Sequence, residues 1–460
     1  MDKSHVNGGI PVPSALTDVI TAAEEKLGAD SAAGQLLGQC MLNSWQTAVR
    51  WSTAYDEASP DVFVITGDID AMWLRDSAAQ LRPYLVAARD ADVYDVLAGT
   101  VLRHARNVLI DPYANGFNDG PTGAHGDPKD IPTPGDWIWE RKYELDSLCA
   151  PLHFGYALWK ASGRNDHLDE TFRKAVDTIL DVWEVEQDHA TKSQYTFIRP
   201  EGPFAHDTLP NDGKGGDVAH TGMTWSGFRP SDDRCEYGYL ISANAMASTG
   251  LQGLAEIAEQ VWADEALARR ARSLSEQIDE GILRHGTRVG NDGTRLTYEV
   301  DGLGGVNDMD DANLPSLLGL PLTGWIAADD AVYQRTRRFV LSDENPYWYS
   351  GADAEGVGSP HTPDNHVWPI ALAVAGLTGT PDERLAAAER LAATTGGTGL
   401  MHESFHVNDP SVFTRPWFGW ANAMFAELML AIAGFDIQQF YPKHPKADAW
   451  DWEATAEVVK

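Results

Sequence analysis

Apolar residues recur every three to four positions through most of this chain, a spacing that places them along one face of a helix. Twelve segments show this pattern: residues 14–27, 32–49, 74–88, 93–109, 145–161, 168–185, 237–258, 265–283, 332–341, 366–375, 382–393 and 417–433. Strand patterns are few, at 61–66, at 194–198 and in a hairpin within 286–300. They do not alternate with helices as in a doubly wound sheet. We therefore expect an all-α protein.

Long loops separate pairs of these helices. The loops at 115–134, 200–230 and 342–363 are rich in Gly, Pro and Asp. Loops of about 20–30 residues are too long for plain connections and are usually functional. The pattern predicts a closed toroid of inner and outer helices, with long active-site loops and minor β-hairpins. We expect one domain over residues 1–460, with residues 1–12 and 445–460 peripheral, and helix N-caps at Ser14 and Asp166.

The charge balance excludes some partners. The chain carries 35 Lys and Arg against 68 Asp and Glu, a net charge of −33. Nucleic acids and anionic membranes are bound by clustered basic residues, so we expect neither as a partner. The sequence contains no run of about 18 uncharged apolar residues, which is the length that a membrane-spanning helix needs. The first residues lack a signal-peptide pattern, which predicts a cytoplasmic protein. Composition leaves the oligomeric state open.

The cysteines indicate neither disulfides nor a metal site. Cys40, Cys149 and Cys235 are odd in number and far apart, without CxxC spacing. We expect reduced thiols.

The first window with site chemistry is residues 66–84, TGDIDAMWLRDSAAQLRPY. It places Asp70, Arg75 and Asp76 around Trp73 at the start of a predicted helix. A Trp ring can cover the apolar face of a sugar, while Arg and Asp bind its hydroxyl groups. The alternative is a plain helix start with an Arg–Asp pair.

The second window is residues 221–239, TGMTWSGFRPSDDRCEYGY. Pro230 favours an extended approach, and Ser231, Asp232 and Asp233 are expected to lead into a helix. A partly buried carboxyl beside a like charge has a raised pKa and can serve as a general acid. The alternative is an acidic N-cap.

The third window is residues 401–428, in which Glu403 lies among aromatic residues. His402 and His406 complete a literal HExxH string, the pattern of a zinc protease when it lies on a helix. Pro410 follows almost at once and leaves no room for a long helix, so we expect no metal here.

Three further windows contain charged or aromatic residues at predicted loops and helix starts. Residues 137–151 carry Trp139 and Arg141, and His361 lies between two prolines in a rigid loop. Residues 308–311 spell DMDD, which matches the DxDD string of some terpene cyclases; an acidic loop with a helix cap is the alternative.

Together, several windows resemble glycoside hydrolase family 125 in the same order, from about residue 40 to residue 435. They are GDIDAMWLRDSAAQLRPY, WERKYELDSLC, FIRPEGP, HTGMTWSGFRPSDD with YGYL, DDANLPSLL, GVGSPHTP with VWPIALA, and MHESF with FTRPWFGWANAMFAEL. The resemblance implies an exo-acting α-1,6-mannosidase with an (α/α)6 barrel, acting by inversion without a metal or other cofactor on a mannose-containing oligosaccharide. One departure is Asp70, in DID, where the family often has DIP.

The resemblance also implies roles for particular residues. The general acid is an aspartate of the SDD motif, Asp232 or Asp233, and the general base is Glu403. In an inverting enzyme the two carboxyl groups lie about 6.5–9.5 Å apart to leave room for a water. Residues expected to bind the sugar or to orient the carboxylates are Asp70, Trp73, Arg75, Asp76, Trp139, Arg141, Arg229, His361 and Arg415.

Three other readings stay open at the level of sequence. One is another helical-toroid glycosidase, of the α-glucosidase or trehalase type. The second is an isoprenoid cyclase that uses Asp308 to Asp311. The third is a sugar-binding protein without activity.

Overall fold

The structure is a computed structural model that describes residues 10–28, 31–55, 60–202, 204–290 and 292–452. Helices dominate this part of the chain. The α-helices are α1 (Ser14–Leu27), α2 (Ala32–Thr47), α3 (Leu74–Leu81), α4 (Ala91–Ile110), α5 (Leu145–Ser162), α6 (Glu170–Glu186), α7 (His189–Lys192), α8 (Pro210–Gly213), α9 (Ile241–Gln260), α10 (Glu265–His285), α11 (Ala331–Val340), α12 (Pro369–Leu377), α13 (Pro381–Ala393) and α14 (Gly419–Ile432). Each of the twelve helices expected from the sequence is present.

The strands are short and form small sheets between helices. They are β1 (Val49–Trp51), β2 (Val62–Val64), β3 (Met72–Trp73), β4 (Gly116–Phe117), β5 (Ile138–Glu140), β6 (Tyr239–Leu240), β7 (Thr287–Gly290), β8 (Gly293–Leu296), β9 (Glu299–Val300), β10 (Val306–Asn307), β11 (Trp348–Ser350), β12 (Glu355–Val357), β13 (His366–Val367), β14 (Phe405–His406) and β15 (Asp409–Phe413). The antiparallel pairing of β7 with β8 confirms the expected hairpin. The strand expected at 194–198 is wrong, since only Ile198 forms a bridge, to Ile131.

Several helix ends differ from expectation. The segment predicted as one helix over 74–88 changes after Leu81 into a 3₁₀-helix, Arg82–Ala87. Pro83 lies there and has no N–H for an α-helical bond. The N-cap expected at Asp166 is instead Asp169, whose side chain accepts the N–H groups of Thr171 and Phe172. Ser14 is the first helical residue and not the cap.

The burial of the helices separates them into two sets. Nearly every residue of α3, α5, α9, α12 and α14 is buried. Helices such as α6 and α10 bury only one face, as their amphipathic sequences require. The buried helices contact one another in the order α12, α14, α3, α5 and α9, while α2, α4, α10 and α13 pack against them from outside.

Described residues near both ends of the chain contact the rest of the protein. Ile10 is buried, and the carbonyl of Pro11 accepts the indole N–H of Trp45. Trp450 is buried too and donates its indole N–H to the carbonyl of Trp325. Residues 1–9 and 453–460 lie outside the described residues. Within the described ranges, no helix is both long and apolar enough to cross a membrane.

Candidate active site

The site is built where four buried helices begin. The residues directly before α3, α5, α12 and α14 are Trp73, Glu144, Trp368 and Phe418. Each has an extended backbone there, so its side chain leaves the helix end. Trp73, Trp368 and Phe418 line one pocket, and Glu144 lies behind it. The starts of these four buried helices thus each supply one group to the site or its support.

The pocket has a volume of about 420 Å³, counting its open mouth, which is within the usual range for small-molecule sites. It combines aromatic walls with several charged groups. Its lining residues are Thr66, Ile69, Trp73, Arg75, Asp76, Pro230, Ser231, Asp232, Asn313, His361, Trp368, Glu403, Arg415, Phe418 and Trp420. Six of the residues expected to bind sugar or to act as base therefore come together here with Asp232.

Asp232 lies in a tight turn, and neither the helix expected directly after Asp233 nor the acidic N-cap of the alternative is present there. The backbone N–H of Arg229 donates to the carbonyl of Asp233 at 2.7 Å, and that of Asp232 donates to the carbonyl of Arg229 at 2.9 Å. Asp232 has a φ of 66°, a conformation that is costly for a residue with a side chain. Ser231 donates to a buried carboxylate oxygen of Asp311 at 2.7 Å and anchors the turn. The next helix, α9, begins only at Ile241.

Asp233 has different surroundings from its neighbour. It is buried, lies outside the pocket lining and has Oδ1 2.9 Å from Nδ1 of His361. Burial alone lowers the pKa of His361, but the contact with Asp233 outweighs it and raises the pKa to about 9. His361 is thus a cation at neutral pH and lines the pocket, oriented by Asp233.

Arg75 is the centre of a buried carboxyl cluster. Nη1 lies 2.5 Å from Oε2 of Glu144 and 3.1 Å from Oδ2 of Asp146, and both of these carboxyl groups are fully buried. Nη2 lies 3.3 Å from Asp76 and 3.4 Å from Oδ1 of Asp232. A guanidinium with four carboxyl groups holds the floor of the pocket in one arrangement.

This cluster displaces the pKa values of its members in opposite directions. Burial raises the pKa of Glu144 well above its ordinary value, although Arg75 opposes the shift. Burial likewise raises the pKa of Asp76 to about 6. For Asp232, burial alone would raise the pKa, but Arg75 and a hydrogen bond with Glu144 outweigh it and lower the pKa below its usual value. Proton affinity in the cluster is therefore unequal.

Glu403 lies just before β14, far in sequence from Asp232. Its Oε2 accepts a hydrogen bond from the Thr414 hydroxyl at 2.7 Å, and its Oε1 accepts one from Nε–H of Arg415 at 3.0 Å. Arg415 also pairs with Asp68. These contacts fix one oxygen of Glu403 through a hydroxyl and the other through a guanidinium, with the carboxylate at the pocket surface.

The HExxH string does not form a helix. His406 is in β14, and His402 stacks on Phe413 with ring centroids 4.0 Å apart. The ring nitrogens of His402 lie 3.0 Å from the carbonyl of Arg415 and 2.9 Å from that of Thr395. Within the described ranges, no group of three or more His, Cys, Asp or Glu is arranged to hold a metal ion.

Four residues expected to bind sugar lie outside the pocket lining. Asp70 is exposed and pairs with Arg50 at 2.9 Å. Arg141 pairs with Asp111 at 2.6 Å. Trp139 is half-buried in β5 and packs against Gly116 of β4, the strand that also pairs with β3, where Trp73 lies.

Arg229, the fourth, makes a two-pronged ion pair with the buried Glu299, at 2.5 and 3.1 Å. Arg229 begins the turn that carries Asp232, so this pair supports the turn and leaves the sugar pocket to other side chains.

The DMDD string is used within the fold. Asp308 pairs with Arg295 at 2.5 Å. Asp310 accepts the backbone N–H groups of Leu317 and Leu318 at 2.8 and 2.9 Å. These acids therefore support an acidic loop, as the alternative to the cyclase motif expected, but the helix cap expected there is absent, since no helix begins between Asp308 and Gly319, a stretch that the structure describes in full.

A second cavity, of about 620 Å³, lies on the other side of Arg75 and Trp420. Its lining is largely apolar and includes Met246, Leu322 and Met424, but neither Asp232 nor Glu403. This apolar cavity is therefore separated from the two candidate catalytic carboxyl groups.

Comparison with known families identifies the family of this chain. The model of a family described as metal-independent alpha-mannosidase (GH125) matches residues 30–430. The chain belongs to this family. It is therefore a glycoside hydrolase and an α-mannosidase, and the cyclase and non-catalytic readings are excluded.

Individual relatives extend the match over nearly the whole chain. A Streptococcus pneumoniae member, solved in a non-productive complex with α-1,6-mannobiose, is 44% identical with a TM-score of 0.88; the match covers 92% of this chain and 99% of that one. The meiotically up-regulated gene 157 protein of Schizosaccharomyces pombe is 38% identical, over 87% of this chain and 82% of its own. A bacterial glucoamylase complexed with acarbose is 14% identical with a TM-score of 0.52, covering 85% of this chain and 51% of its own, and shares the fold alone.

Some residues of this mannosidase site were not expected from the sequence. Trp368, Phe418 and Trp420 line the pocket although only their motifs were noted. Glu144 was overlooked within WERKYELD. A signal was available, because each of these residues lies at a predicted helix start beside charged or aromatic neighbours.

Proposed function

We propose that the protein is an exo-acting α-1,6-mannosidase that removes terminal non-reducing mannose with inversion of configuration. One observation carries this proposal: Asp232 and Glu403, from distant segments, line the same pocket. A general acid and a general base at one sugar site are the minimum that inverting hydrolysis needs. The substrate linkage is supported by the Streptococcus pneumoniae relative, whose complex contains α-1,6-mannobiose.

The fold proposal is an (α/α)6 barrel that forms a single catalytic domain over residues 1–460. Its support is the alternation along the chain of largely buried helices with helices buried on one face. The inner ring would consist of α3, α5, α9, the segment with the 3₁₀-helix Leu320–Thr323, α12 and α14. The starts of α3, α5, α12 and α14 then lie at one end of the barrel, together with the loops that carry Asp232 and Glu403.

The proposed reaction assigns different work to the two carboxyl groups. Asp232 gives a proton to the glycosidic oxygen as the bond to the anomeric carbon breaks. Glu403 takes a proton from a water that attacks that carbon from the opposite face of the ring. Asp232 is preferred to Asp233 because Asp233 is buried, lies outside the pocket lining and orients His361.

The remaining pocket residues would bind the terminal mannose. Trp73, Trp368 and Trp420 offer apolar faces to the C–H side of the ring. Arg75, Asp76, His361 and Arg415 offer charged donors and acceptors for hydroxyl groups. The natural substrates we propose are mannosides of N-linked glycans, since the structure of the Streptococcus pneumoniae relative is described in connection with their processing.

The first experiment measures hydrolysis of α-1,6-mannobiose by Glu403→Gln and Asp232→Asn. Each is expected to lose about 10²- to 10⁴-fold in kcat, the usual contribution of general acid–base catalysis. Glu355→Gln is the matched control, because its side chain is 52% exposed and outside the pocket. Full activity in Glu403→Gln would overturn the proposal.

The second experiment follows the anomer formed first, by proton NMR of the reaction in progress. Inversion predicts β-mannose as the initial product, and initial α-mannose would contradict it. α-Glucosides and trehalose should not be cleaved, which separates this activity from that of other helical-toroid glycosidases.

A further inference from the structure

The carboxyl groups around Arg75 outnumber the charges available to neutralise them. Asp76, Glu144, Asp146 and Asp232 all have an oxygen within 3.4 Å of one guanidinium. If all four were ionised, Arg75 alone would leave three negative charges unbalanced at a largely buried point, and the nearby Lys142 and His361 are already paired with Asp207 and Asp233. Each such ion costs several kcal/mol to remove from water, so the cluster retains protons at neutral pH.

Hydrogen-bond donors are also too few on the Asp232 side. Asn115 directs its Nδ2 into the cluster, because its Oδ1 accepts the backbone N–H of Lys142. That Nδ2 lies 3.0, 2.9 and 3.5 Å from oxygens of Glu140, Glu144 and Asp232. An amide has two N–H groups and cannot satisfy three acceptors at full strength. Glu144 and Asp232 approach both this Nδ2 and the Arg75 guanidinium, so the two carboxyl groups lie side by side, where a shared proton supplies the missing donor.

Other charged groups bias the position of that proton. Lys142 and His361 face Asp232 and favour its ionised form. Asp146 faces Glu144 and disfavours ionisation there, while Arg75 favours it. The Glu140 carboxyl is paired elsewhere, with Arg199 at 2.9 Å. The Glu144 side chain is fully buried beside Asp146, whereas the Asp232 side chain is 30% exposed and faces two further cations, so the proton rests on Glu144 in the free protein.

We propose that Glu144 is a positioning residue that shares one proton with Asp232 and passes it on during catalysis. The inference rests on the proposed function, in which Asp232 is the general acid. The Glu144 proton moves to Asp232, and Asp232 delivers it to the glycosidic oxygen, which takes the electrons of the breaking bond. Glu144 becomes a carboxylate paired with Arg75, while Glu403 gains a proton from the attacking water. Solvent then returns one proton from Glu403 to the pair.

The deciding experiment compares the pH dependence of kcat/KM for the wild type, Glu144→Gln and the control Glu140→Gln on α-1,6-mannobiose. In the wild type, loss of the shared proton leaves two adjacent carboxylates, Glu144 and Asp232. In Glu144→Gln, only Asp232 becomes charged, so its deprotonation meets no like charge from residue 144. The alkaline limb should therefore move to lower pH by about one unit. Glu140→Gln shares the Asn115 contact but has no carboxyl contact with Asp232, so its limb should stay in place.

A substrate whose leaving group needs no proton separates this role from a structural one. On 2,4-dinitrophenyl α-mannoside, Glu144→Gln should keep kcat within about twofold of the wild type, while its kcat on mannobiose falls. The inference would be overturned if Glu144→Gln lost kcat equally on both substrates and its alkaline limb of kcat/KM stayed at the wild-type pH.

Wild-type protein labelled with ¹³C at Glu Cδ supplies a measurement that needs no variant. The spectrum at pH 7 should contain the signal of one protonated buried glutamate. A spectrum in which all glutamates are ionised at pH 7 would also refute the inference. Full activity of Asp232→Asn on mannobiose would instead refute the proposed function. If Asp232→Asn is inactive but the alkaline limb of the kcat/KM profile is the same in Glu144→Gln as in the wild type, only the proton sharing is refuted.

Discussion

Oδ1 of Asp233 lies 2.9 Å from Nδ1 of His361, whereas the adjacent Asp232 has its carboxylate 3.4 Å from Arg75. Two neighbouring acids of one turn therefore have separate surroundings. The left-handed backbone at Asp232 separates them, because it sends successive side chains to different sides of the turn.

Asp233→Asn should remove the ion pair that keeps His361 charged. We expect kcat/KM on mannobiose to fall about tenfold, equivalent to about 1.4 kcal/mol, which is much less than the loss in Asp232→Asn. The pKa of His361 is about 9 in the folded protein against 6.5 for the unperturbed group. A raised pKa contributes stability that is fully present below pH 6.5 and is lost as pH rises through 9.

Urea unfolding of the wild type and of Asp233→Asn over this pH range checks the sign. The stability difference should be largest below pH 6.5 and should shrink toward pH 9. A difference that grows with pH would contradict the assignment of a charged His361.

Glu299→Gln should destabilise the protein by about 3–5 kcal/mol, since it leaves the buried Arg229 without its charged partner. Asp181→Asn is the matched control. Asp181 pairs with Arg270, but its side chain is 72% exposed, and exposed pairs contribute about 0–1 kcal/mol. The free energies of unfolding measured in urea should differ accordingly, and similar values for both variants would show that the Arg229 pair is dispensable.

Gly238→Ala should destabilise the fold through overpacking. A Cβ there would lie 2.0 Å from the indole ring of Trp225. Trp225 cannot move freely, because it is buried and stacks on His189 with centroids 3.6 Å apart. We expect a loss of about 1–3 kcal/mol or more by thermal or urea unfolding. Gly135→Ala, whose Cβ would meet its nearest atom at 4.0 Å, should leave stability nearly unchanged.

Treatment with a strong chelator should leave hydrolysis of α-1,6-mannobiose unchanged. His402 and His406 do not form the helical pair that a zinc site of the HExxH type requires, and the family is described as metal-independent. Activity before and after dialysis against chelator tests this. A loss restored by added Zn²⁺ would contradict it.

Local rules were enough to predict the helices and to select the windows that carry the site. Apolar periodicity located the twelve helices because it reports the buried face directly. It misplaced ends such as the one after Leu81, where a single proline changes the hydrogen bonding. The helix expected directly after Ser231, Asp232 and Asp233 is absent for another reason: a bond from Ser231 to Asp311, 80 residues away, stabilises a turn that local preference does not favour.

The sequence by itself determined that this chain is helical, and its motifs placed it in a family of α-mannosidases, because periodicity and long motifs survive without coordinates. Only the tertiary structure decided which acids share a pocket. Asp232 and Glu403 line it, Asp233 orients His361, Glu144 lies behind it, and Asp70, Arg141 and Arg229 are paired elsewhere. Residue type fixes what a carboxyl group can do, but its burial and its charged neighbours, brought together from distant segments, fix where its proton rests.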